Sequence, residues 1–378
     1  MGLGDLGAEV IKVEEPGSGD ETRGFGPPFV KGVSTYFLSI NRNKKSLAVN
    51  LKHPEGVKLI HALAARSDIM LENFRPSVAE RLGIGPERLR ARNPRLIYCS
   101  ISGFGHRGVP EYTKLPGYDA VMQGLAGLQH LTGQPDGPPT KVGISIADIL
   151  TGMTATEAIL LALYTRERTG AGCRLDISML DSTVQALTFQ AANHLIAHLN
   201  PGRAGNRHAS IAPYETFRAQ DGYLNLGVAN DGQFKKLCQL LGTPQLAEDQ
   251  RFAENRNRVA NREDLAQRLG AVFVTRPVNE WVERLQGAGI PAGAILDLAQ
   301  IFAHPQLRAR GMLVESEHPS LGPIRTVGSP LRAAQGDGAS SALPPPSVGQ
   351  HTAEVLTSVL GLSSAEVERL ADAKAIAV

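Results

Sequence analysis

Strand-like and helix-like segments alternate from residue 9 to residue 101, and no other feature of this sequence restricts its fold as strongly. Alternation at this spacing predicts an α/β fold with a doubly wound parallel sheet. Such sheets bind ligands at the carboxyl ends of their strands, so the loops after Leu51, Glu72 and Ile101 are candidate ligand loops. The predicted strands span residues 9–14, 46–51, 67–72 and 96–101, and the predicted helices span 54–66, 76–82 and 86–92.

A second, smaller domain is expected because 378 residues with 42% hydrophobic content exceed what one core usually serves. The polar, turn-rich stretch 200–208 indicates a crossing between domains. A hairpin of strands 214–218 and 223–228 follows, with helices predicted to start at Gly232, Arg262 and Val278. We predict a large α/β domain over 1–198, a small α+β domain over 199–304, and a return segment with C-terminal helices of the large domain over 305–378.

Charge and cysteine content exclude several classes of protein. The 39 basic and 37 acidic side chains nearly cancel, which gives no surface suited to nucleic acid. No uninterrupted apolar run approaches the length of about 18 residues that predicts a membrane span. Cys99, Cys173 and Cys238 are widely spaced, without the Cys or Cys/His spacing of a disulfide framework or a metal site. The sequence predicts a soluble protein of a reducing compartment.

Asp148 lies at the junction between an apolar run, 142–147, which resembles a strand, and a helix predicted from Ile149 to about Arg168. A carboxylate at a helix start accepts backbone N–H bonds and meets the positive end of the helix dipole, so it stays ionised at neutral pH. Such an anion can act as a nucleophile. The alternative is that Asp148 is only an N-cap that contributes about 1 kcal/mol to its helix, and position alone favours this alternative.

Motifs along essentially the whole chain resemble those of the family III CoA-transferases, which also include α-methylacyl-CoA racemases. Their order and spacing, rather than any single motif, give the resemblance its specificity. The matching segments are 6–14, 17–20, 43–46, 72–76, 116–119, 132–139, 143–148, 205–208 and 349–352.

The resemblance implies that Asp148 is the catalytic aspartate. In this family the carboxylate attacks a donor thioester. The activated acyl bond is conserved in two covalent intermediates, a mixed anhydride and an aspartyl-CoA thioester. Coenzyme A is then a co-substrate, and no metal or other cofactor is expected. Backbone N–H groups at the helix start, together with glycine-rich loops, are expected to stabilise the oxyanions.

The resemblance also places a CoA site in the large domain. Arg75 and Arg81 are expected to pair with CoA phosphates. The alternative for each arginine is a solvated surface charge, and Phe74, Leu82 and Tyr118 are equally compatible with a core role. The implied CoA-binding residues are Val49, Asn50, Leu51, Lys52, Asn73, Phe74, Arg75, Arg81, Leu82, Leu115 and Tyr118.

The acid substrate is indicated by segment 205–214, which is most similar to members that handle dicarboxylates such as succinate and glutarate. Arg207 or His208 would neutralise the distal carboxylate. A polar linker with solvated charges explains the same residues equally well. The expected partners are therefore an acyl-CoA and a free carboxylic acid.

Two other functions stay open. A racemase needs an acid/base pair, and the family's racemases have a histidine where this chain has Tyr118; a phenol with a pKa near 10 replaces it poorly. A non-catalytic CoA-binding subunit is the second alternative, and the presence of Asp148 argues against it. The resemblance further implies an interlocked homodimer in the cytoplasm, or in a mitochondrial or peroxisomal matrix. From the family pattern we also expect this sequence to lack the family's first strand and first helix.

Overall fold

The computed structural model describes residues 1–331 and 343–378, which divide into two compact units. Unit 1 comprises Met1–Ala126, Ile144–Ala186 and His304–Val378, and unit 2 comprises Gly127–Gly143 and Leu187–Ala303. Unit 1 is interrupted after Ala126, because Gly127–Gly143 belongs to unit 2, and again after Ala186, whereas the prediction placed one boundary after residue 198. Sequence composition had marked only the later polar stretch, because loop-rich segments carry little periodic signal.

The elements are numbered in chain order. The strands are β1 (Ile11–Glu14), β2 (Phe29–Val30), β3 (Val33–Ser34), β4 (Lys45–Val49), β5 (Ile69–Glu72), β6 (Ile97–Ser102), β7 (Arg174–Ser178), β8 (Tyr214–Arg218), β9 (Tyr223–Gly227), β10 (Ala292–Ala294), β11 (Leu313–His318), β12 (Gly322–Val327) and β13 (Ile376–Ala377). The helices are α1 (Gly2–Asp5), α2 (Thr35–Ile40), α3 (Pro54–Ala64), α4 (Val78–Arg81), α5 (Pro86–Arg92), α6 (Pro110–Thr113), α7 (Asp119–Leu125), α8 (Leu128–Leu131), α9 (Ile146–Thr169), α10 (Met179–Gln185), α11 (Thr188–Leu195), α12 (Asp231–Leu240), α13 (Gln245–Glu248), α14 (Asn255–Ala260), α15 (Arg262–Phe273), α16 (Val278–Gly287), α17 (Leu298–Ala303), α18 (Pro305–Ala309), α19 (Thr352–Ser358) and α20 (Ser364–Asp372), with a 3₁₀ turn at Glu21–Gly24.

Unit 1 has the predicted α/β character with parallel strands. β1 is parallel to β4, and β5, β6 and β7 are parallel neighbours in that order. Among the described residues these strands form two three-stranded sheets rather than one, and the first is completed by β13, which runs antiparallel to β4. A two-residue strand at the end of the chain is too short to show a strand pattern in the sequence, so this pairing was not predicted.

The main core of unit 1 forms between these sheets' apolar side chains and the helices α3, α5, α19 and α20. Leu47, Val49 and Tyr98 on β4 and β6 are almost completely buried, and Leu59 on α3 and Leu356 on α19 pack in the same cluster. Strands that are buried on both faces are typical of parallel sheets. The carboxyl ends of β4, β5 and β6 are therefore rigidly supported.

Helix α9 differs from its prediction. Residues 142–147 form no strand, and the helix begins at Ile146, three residues before the predicted start. Its buried face includes Ala155 and Ile159, whereas Leu161 is 66% exposed. By length and composition this helix could cross a membrane, with a mean hydropathy of 1.6 over its most apolar window, of which 28% is buried. The sequence-based prediction considered only uninterrupted apolar runs of about 18 residues. It therefore missed this helix, whose apolar residues are interrupted by polar ones.

Unit 2 is the predicted smaller α+β unit. β8 and β9 form the hairpin, and β10 extends it as a third antiparallel strand. Helices α12, α15 and α16 cover the sheet, starting at or next to the predicted residues. Phe217, Phe234 and Trp281 lie in its buried core. The hairpin and helices were predictable because their apolar periodicity and turn residues are local.

Candidate active site

Asp148 is the third residue of α9, in the first helical turn. Ser145 is the N-cap, so the proposal that Asp148 itself caps the helix is wrong. The apolar run before it is an irregular segment in which Ile144 O accepts the Ile146 N–H at 2.9 Å. A carboxylate in the first turn still meets the positive end of the helix dipole.

Asp119, at the first position of α7, binds the start of α9. Its Oδ1 accepts the backbone N–H of Ala147 at 2.8 Å, and its Oδ2 accepts the side-chain amide of Gln123 at 2.8 Å. The same Gln123 amide nitrogen donates to the carbonyl of Ile144 at 3.3 Å. Through these contacts one acid from another helix satisfies an N–H that the helix start would otherwise leave without a partner.

The Asp148 carboxyl is exposed, and no described residue forms a hydrogen bond or ion pair with it. Desolvation by the surrounding protein and then the charge of Asp119 raise the pKa of Asp148 above its ordinary value. This corrects the expectation that backbone N–H bonds hold the carboxylate firmly ionised. The result is a reachable and comparatively basic carboxylate, and both properties favour nucleophilic attack.

The loop that leads into α7 is held close to the end of β6. A Cβ added to Gly117 would lie 2.4 Å from the Cα of Gly103, so only glycine allows the two backbones to approach this closely. Met122 of α7 packs with Ala147 and Met179 in a small buried cluster. Leu115 and Tyr118, 46% and 59% exposed, are thereby presented on the surface near the α9 start.

The predicted CoA residues after β4 form a turn at its carboxyl end. Val49 is buried, whereas Lys52 is exposed, with its amine 3.6 Å from Glu15. Asn50 closes the turn, since its side-chain oxygen accepts the N–H of Lys52 at 3.0 Å. Leu51 packs against the main core of unit 1. Both polar groups of the Asn50 side chain are engaged, since its nitrogen donates to the carbonyl of Lys374 at 3.4 Å, whereas Lys52 presents an exposed amine.

The predicted residues after β5 are held by Glu72, a buried acid that sequence reasoning had given no role. Its Oε2 accepts the N–H of Phe74 at 2.8 Å, and burial raises the pKa of this carboxyl. The side-chain amide of Asn73 donates to the carbonyl of Ile101 at 2.9 Å, which joins this loop to β6. Glu72, Asn73 and Ile101 therefore link the ends of two neighbouring strands.

Arg75 and Arg81 are exposed, and neither guanidinium is paired with a described residue. Phe74 and Leu82, in contrast, pack against the main core of unit 1, in agreement with the structural alternative for these two residues. Arginines without an internal partner are available to an anionic ligand.

Arg207 and His208 lie in unit 2. Arg207 forms bidentate hydrogen bonds with Glu263 and an ion pair with Glu215 at 3.4 Å, so its charge is already compensated. The His208 ring stacks on Phe189, with 5.2 Å between the ring centroids, and its Nδ1 accepts the Ser210 N–H at 3.1 Å. That bond requires the neutral ring with its proton on Nε2. In this structure neither side chain supplies an unpaired positive charge, contrary to expectation.

The start of α9 offers fewer free N–H groups than predicted. The N–H groups of Ile146, Ala147 and Ile149 already donate to Ile144, Asp119 and Ser145. No group of three or more His, Cys, Asp or Glu side chains within residues 1–331 and 343–378 is arranged to hold a metal ion.

Asp119 had no predicted role, although its motif, 116–119, was among the matching segments. An available signal was its position as an acidic residue at the first turn of a helix that follows Pro116 and Gly117. Its target, the N–H of Ala147, is distant in sequence and was not predictable from the motif alone.

A parallel α/β unit with loops at its strand ends and an accessible aspartate in the first turn of a long helix has the architecture of an enzyme. The chain belongs to CoA-transferase family III, whose model matches residues 1–352, and it is a CoA-transferase. This confirms the family and the enzyme class that the motifs indicated.

Similar proteins span nearly the whole chain. It is 43% identical over 370 residues to the succinyl-CoA:glutarate CoA-transferase of Mus musculus, which covers 98% of this chain and 84% of that protein. It is 39% identical over 360 residues to the succinate–glutarate CoA-transferase of Agrobacterium fabrum, covering 94% and 89% of the two chains. The crystal structure of a CAIB/BAIF family protein from Brucella suis superposes with a TM-score of 0.82 at 41% identity, covering 94% of this chain and 92% of that one.

Proposed function

We propose that this enzyme moves CoA from an acyl-CoA thioester, such as succinyl-CoA, to a free dicarboxylic acid, with Asp148 as the nucleophile. The observation that carries the proposal is the carboxylate of Asp148 in the first turn of α9, which is accessible and has no partner in the described part of the chain. The mouse and Agrobacterium relatives, whose names specify succinyl and glutarate groups, support the substrate class.

The proposed chemistry keeps an activated acyl group, as a thioester or an anhydride, at each step. An Asp148 oxygen attacks the donor carbonyl, the C–S bond breaks, and CoA leaves as a thiolate, so that a mixed anhydride remains. The thiolate then attacks the Asp148 carbonyl, releases the first acid, and forms an aspartyl-CoA thioester. The acceptor carboxylate and then the thiolate repeat these attacks in reverse order, which regenerates the Asp148 carboxylate.

Each attack creates a tetrahedral oxyanion that needs hydrogen-bond donors. Because the N–H groups of Ile146, Ala147 and Ile149 are occupied, we assign this role to backbone N–H groups of glycine-rich loops rather than to the α9 start. Coenzyme A serves as co-substrate, and the mechanism needs no metal or other cofactor.

For the CoA moiety, we propose that Arg75 and Arg81 bind its phosphates, because both guanidinium groups lack a partner among the described residues. Asn50, Lys52 and Asn73 add polar contacts at the ends of β4 and β5. Leu115 and Tyr118 supply exposed apolar surface for the pantetheine arm.

We propose that Arg207 and His208 bind the distal carboxylate of the acceptor acid, although not as two unpaired positive charges. His208 offers one donor, its Nε2–H, and Arg207 becomes available only if it exchanges Glu263 for the substrate carboxylate. Such an exchange replaces one charge-assisted pair with another and needs no new buried charge.

We also propose a homodimer. Ile149, Met153, Leu160, Leu161 and Tyr164 of α9 are each at least 45% exposed, and contiguous apolar surface of this kind marks interaction sites. We place the enzyme in the cytoplasm or an organelle matrix.

The test is a transfer assay with isotope-labelled acyl-CoA donors against a panel of free acids, read by mass spectrometry. With the label in the CoA moiety of succinyl-CoA, we expect labelled glutaryl-CoA or the CoA thioester of a related dicarboxylate to form together with free succinate, with no activity for Asp148→Ala. Exchange of the α-proton without transfer would instead support the racemase, and binding of CoA without either reaction would support the non-catalytic subunit.

A further inference from the structure

The contacts of Asp119 extend the site beyond its nucleophile. We propose that Asp119 is a positioning residue for the reaction, which holds the first turn of α9 in place and fixes a negative charge beside Asp148. This inference rests on the proposed role of Asp148 as the nucleophile.

The positioning contact is made one residue before the nucleophile. Asp119 Oδ1 accepts the Ala147 N–H at 2.8 Å, and Asp119 Oδ2 is held by the Gln123 amide at 2.8 Å. Gln123 is completely buried. Because both carboxylate oxygens are engaged, Asp119 is fixed in rotation, and so is the backbone that carries Asp148.

Helix α7, which carries Asp119, is anchored by packing on both sides of this residue. Met122, one turn later on α7, is buried against Ala147 and Met179. The close backbone contact of Gly117 with Gly103 fixes the entry to the same helix. Two like charges are thus held near each other by surrounding structure that cannot relax cheaply.

Among the charged residues on the elements around α9, Asp119 is the one that affects the pKa of Asp148. Helices α7 and α10 and strands β6 and β7 pack against α9. Their charged side chains are Asp119, Asp181, Arg174 and Asp176, and among these Asp119 is the one whose charge raises the pKa of Asp148. Removing the Asp119 charge should therefore lower the pKa of Asp148.

The charge pair has a consequence for the covalent step. When Asp148 becomes an anhydride or a thioester it loses its negative charge, so the repulsion from Asp119 disappears. Asp119 consequently destabilises the free enzyme, in which Asp148 is a carboxylate, relative to the acylated enzyme, in which Asp148 is uncharged. A fixed neighbouring charge favours formation of the covalent intermediate without contacting the substrate.

The test compares Asp119→Asn and Asp119→Ala with a control, Asp372→Asn, which removes an exposed acid of α20. Asparagine keeps an oxygen that can accept the Ala147 N–H, and its amide can face Gln123 if that side chain rotates; alanine keeps neither. The titration of Asp148 is followed by ¹³C NMR of labelled aspartate without substrate, with the resonance assigned by its loss in Asp148→Asn. Donor KM and kcat are measured in parallel.

In Asp119→Asn we expect the Asp148 titration to move to lower pH, with less acyl-enzyme trapped at equilibrium. Asp119→Ala should show the same shift and a larger loss of kcat, roughly tenfold to a hundredfold, because a displaced nucleophile is no longer aligned. Donor KM should change little, and the control should match wild type. An unchanged Asp148 titration in both variants would overturn the inference. If wild type transfers no CoA, the proposed function fails, whereas the NMR titration still decides the effect of Asp119.

Discussion

A carboxylate that attacks a thioester must be ionised, reachable and free of strong partners. Asp148 has no partner among the described residues, while acids elsewhere in unit 1, such as Glu14 and Asp20, are held by cations. Residue type alone does not distinguish these acids, whereas their surroundings do. Asp148, Arg75 and Arg81, which have no partner among the described residues, are therefore the side chains to test by mutation.

Asp148→Asn should reduce CoA transfer by at least about a thousandfold, because an amide is not a nucleophile at neutral pH. Folding should be preserved, since the wild-type side chain makes no hydrogen bond with residues 1–331 or 343–378 that would be lost. Incubation of wild type with succinyl-CoA followed by hydroxylamine should modify Asp148, as detected by peptide mass spectrometry. Substantial transfer by the variant, or modification at another acid, would contradict the mechanism.

Arg75→Ala and Arg81→Ala should each raise the donor KM by roughly fivefold to a hundredfold, as expected for losing a charge-assisted contact of about 1–3 kcal/mol. The effect on kcat should be smaller because the phosphates are remote from the reacting carbonyl. Arg92→Ala is the control, because Arg92 is also exposed and its guanidinium is paired with no residue that the structure describes. Comparing acyl-CoA with acyl-dephospho-CoA in each variant identifies which arginine contacts the 3′-phosphate. Unchanged donor saturation in both would assign them to the solvated surface.

Elements position the site through close backbone contacts. α3 packs so tightly against the end of β4 that a Cβ on Gly56 would lie 2.1 Å from the carbonyl oxygen of Asn50. The turn at Asn50 and Lys52 is thereby shaped by a helix that contributes no predicted ligand contact.

Gly56→Ala should lower the free energy of unfolding by about 1–3 kcal/mol, because backbone atoms must shift to admit the methyl group. It should also raise the donor KM, since the displaced atoms belong to the proposed CoA turn. Gly270→Ala in α15 is the matched control: its Cβ would meet open space, so about 1 kcal/mol of stabilisation is expected. Urea unfolding and donor saturation measure both effects, and equal stability of Gly56→Ala and wild type would refute the packing argument.

The turn after β1 depends on acids that must be ionised. Burial opposes ionisation of Asp20, but Lys12 and Thr22 outweigh it and lower the pKa of Asp20 to about 2. In Glu14, burial is likewise outweighed by bonds from Arg23 and Ser46, and its pKa is lowered.

A depressed pKa contributes stability above the unfolded value, which is 3.8 for Asp20, and that stability is lost as the pH falls toward about 2. We therefore expect the free energy of unfolding to decrease as the pH is lowered through this interval. Asp20→Asn should make the free energy of unfolding depend less on pH, and the dependence that remains should include the contribution of Glu14. Unfolding in urea at a series of pH values tests it, and equal slopes for wild type and variant would exclude Asp20 as a contributor.

At the scale of the whole molecule, the long helix that carries Asp148 at its start exposes apolar side chains along its length. Leu161 and Tyr164 are 66% and 57% exposed. Surface of this kind is unfavourable in water and favours association.

We expect light scattering coupled to size exclusion to give twice the mass of one chain. Leu161→Lys should shift the protein toward monomer because a charge would be buried at the interface. Glu157→Lys, which adds a lysine to the same helix at an exposed polar position, is the control. A wild-type monomer with full transfer activity would contradict the dimer.

Local sequence determined most elements of this protein and marked Asp148 as the candidate nucleophile. Helix α5 has the predicted bounds, 86–92, and strand β8 has the bounds 214–218, because proline starts, apolar periodicity and turn residues act within a few positions. The motif ending at Asp148 was likewise readable, although its role stays a prediction.

Tertiary structure alone decided how that residue is presented. Residues 142–147 have the composition of a strand, yet Ile146 and Ala147 join α9, where Asp119 from another helix accepts the Ala147 N–H. The pairing of β13 with β4 and the neutralisation of Arg207 by Glu263 also join distant parts of the chain. Such contacts depend on which surfaces meet after folding, and a local pattern carries no information about that.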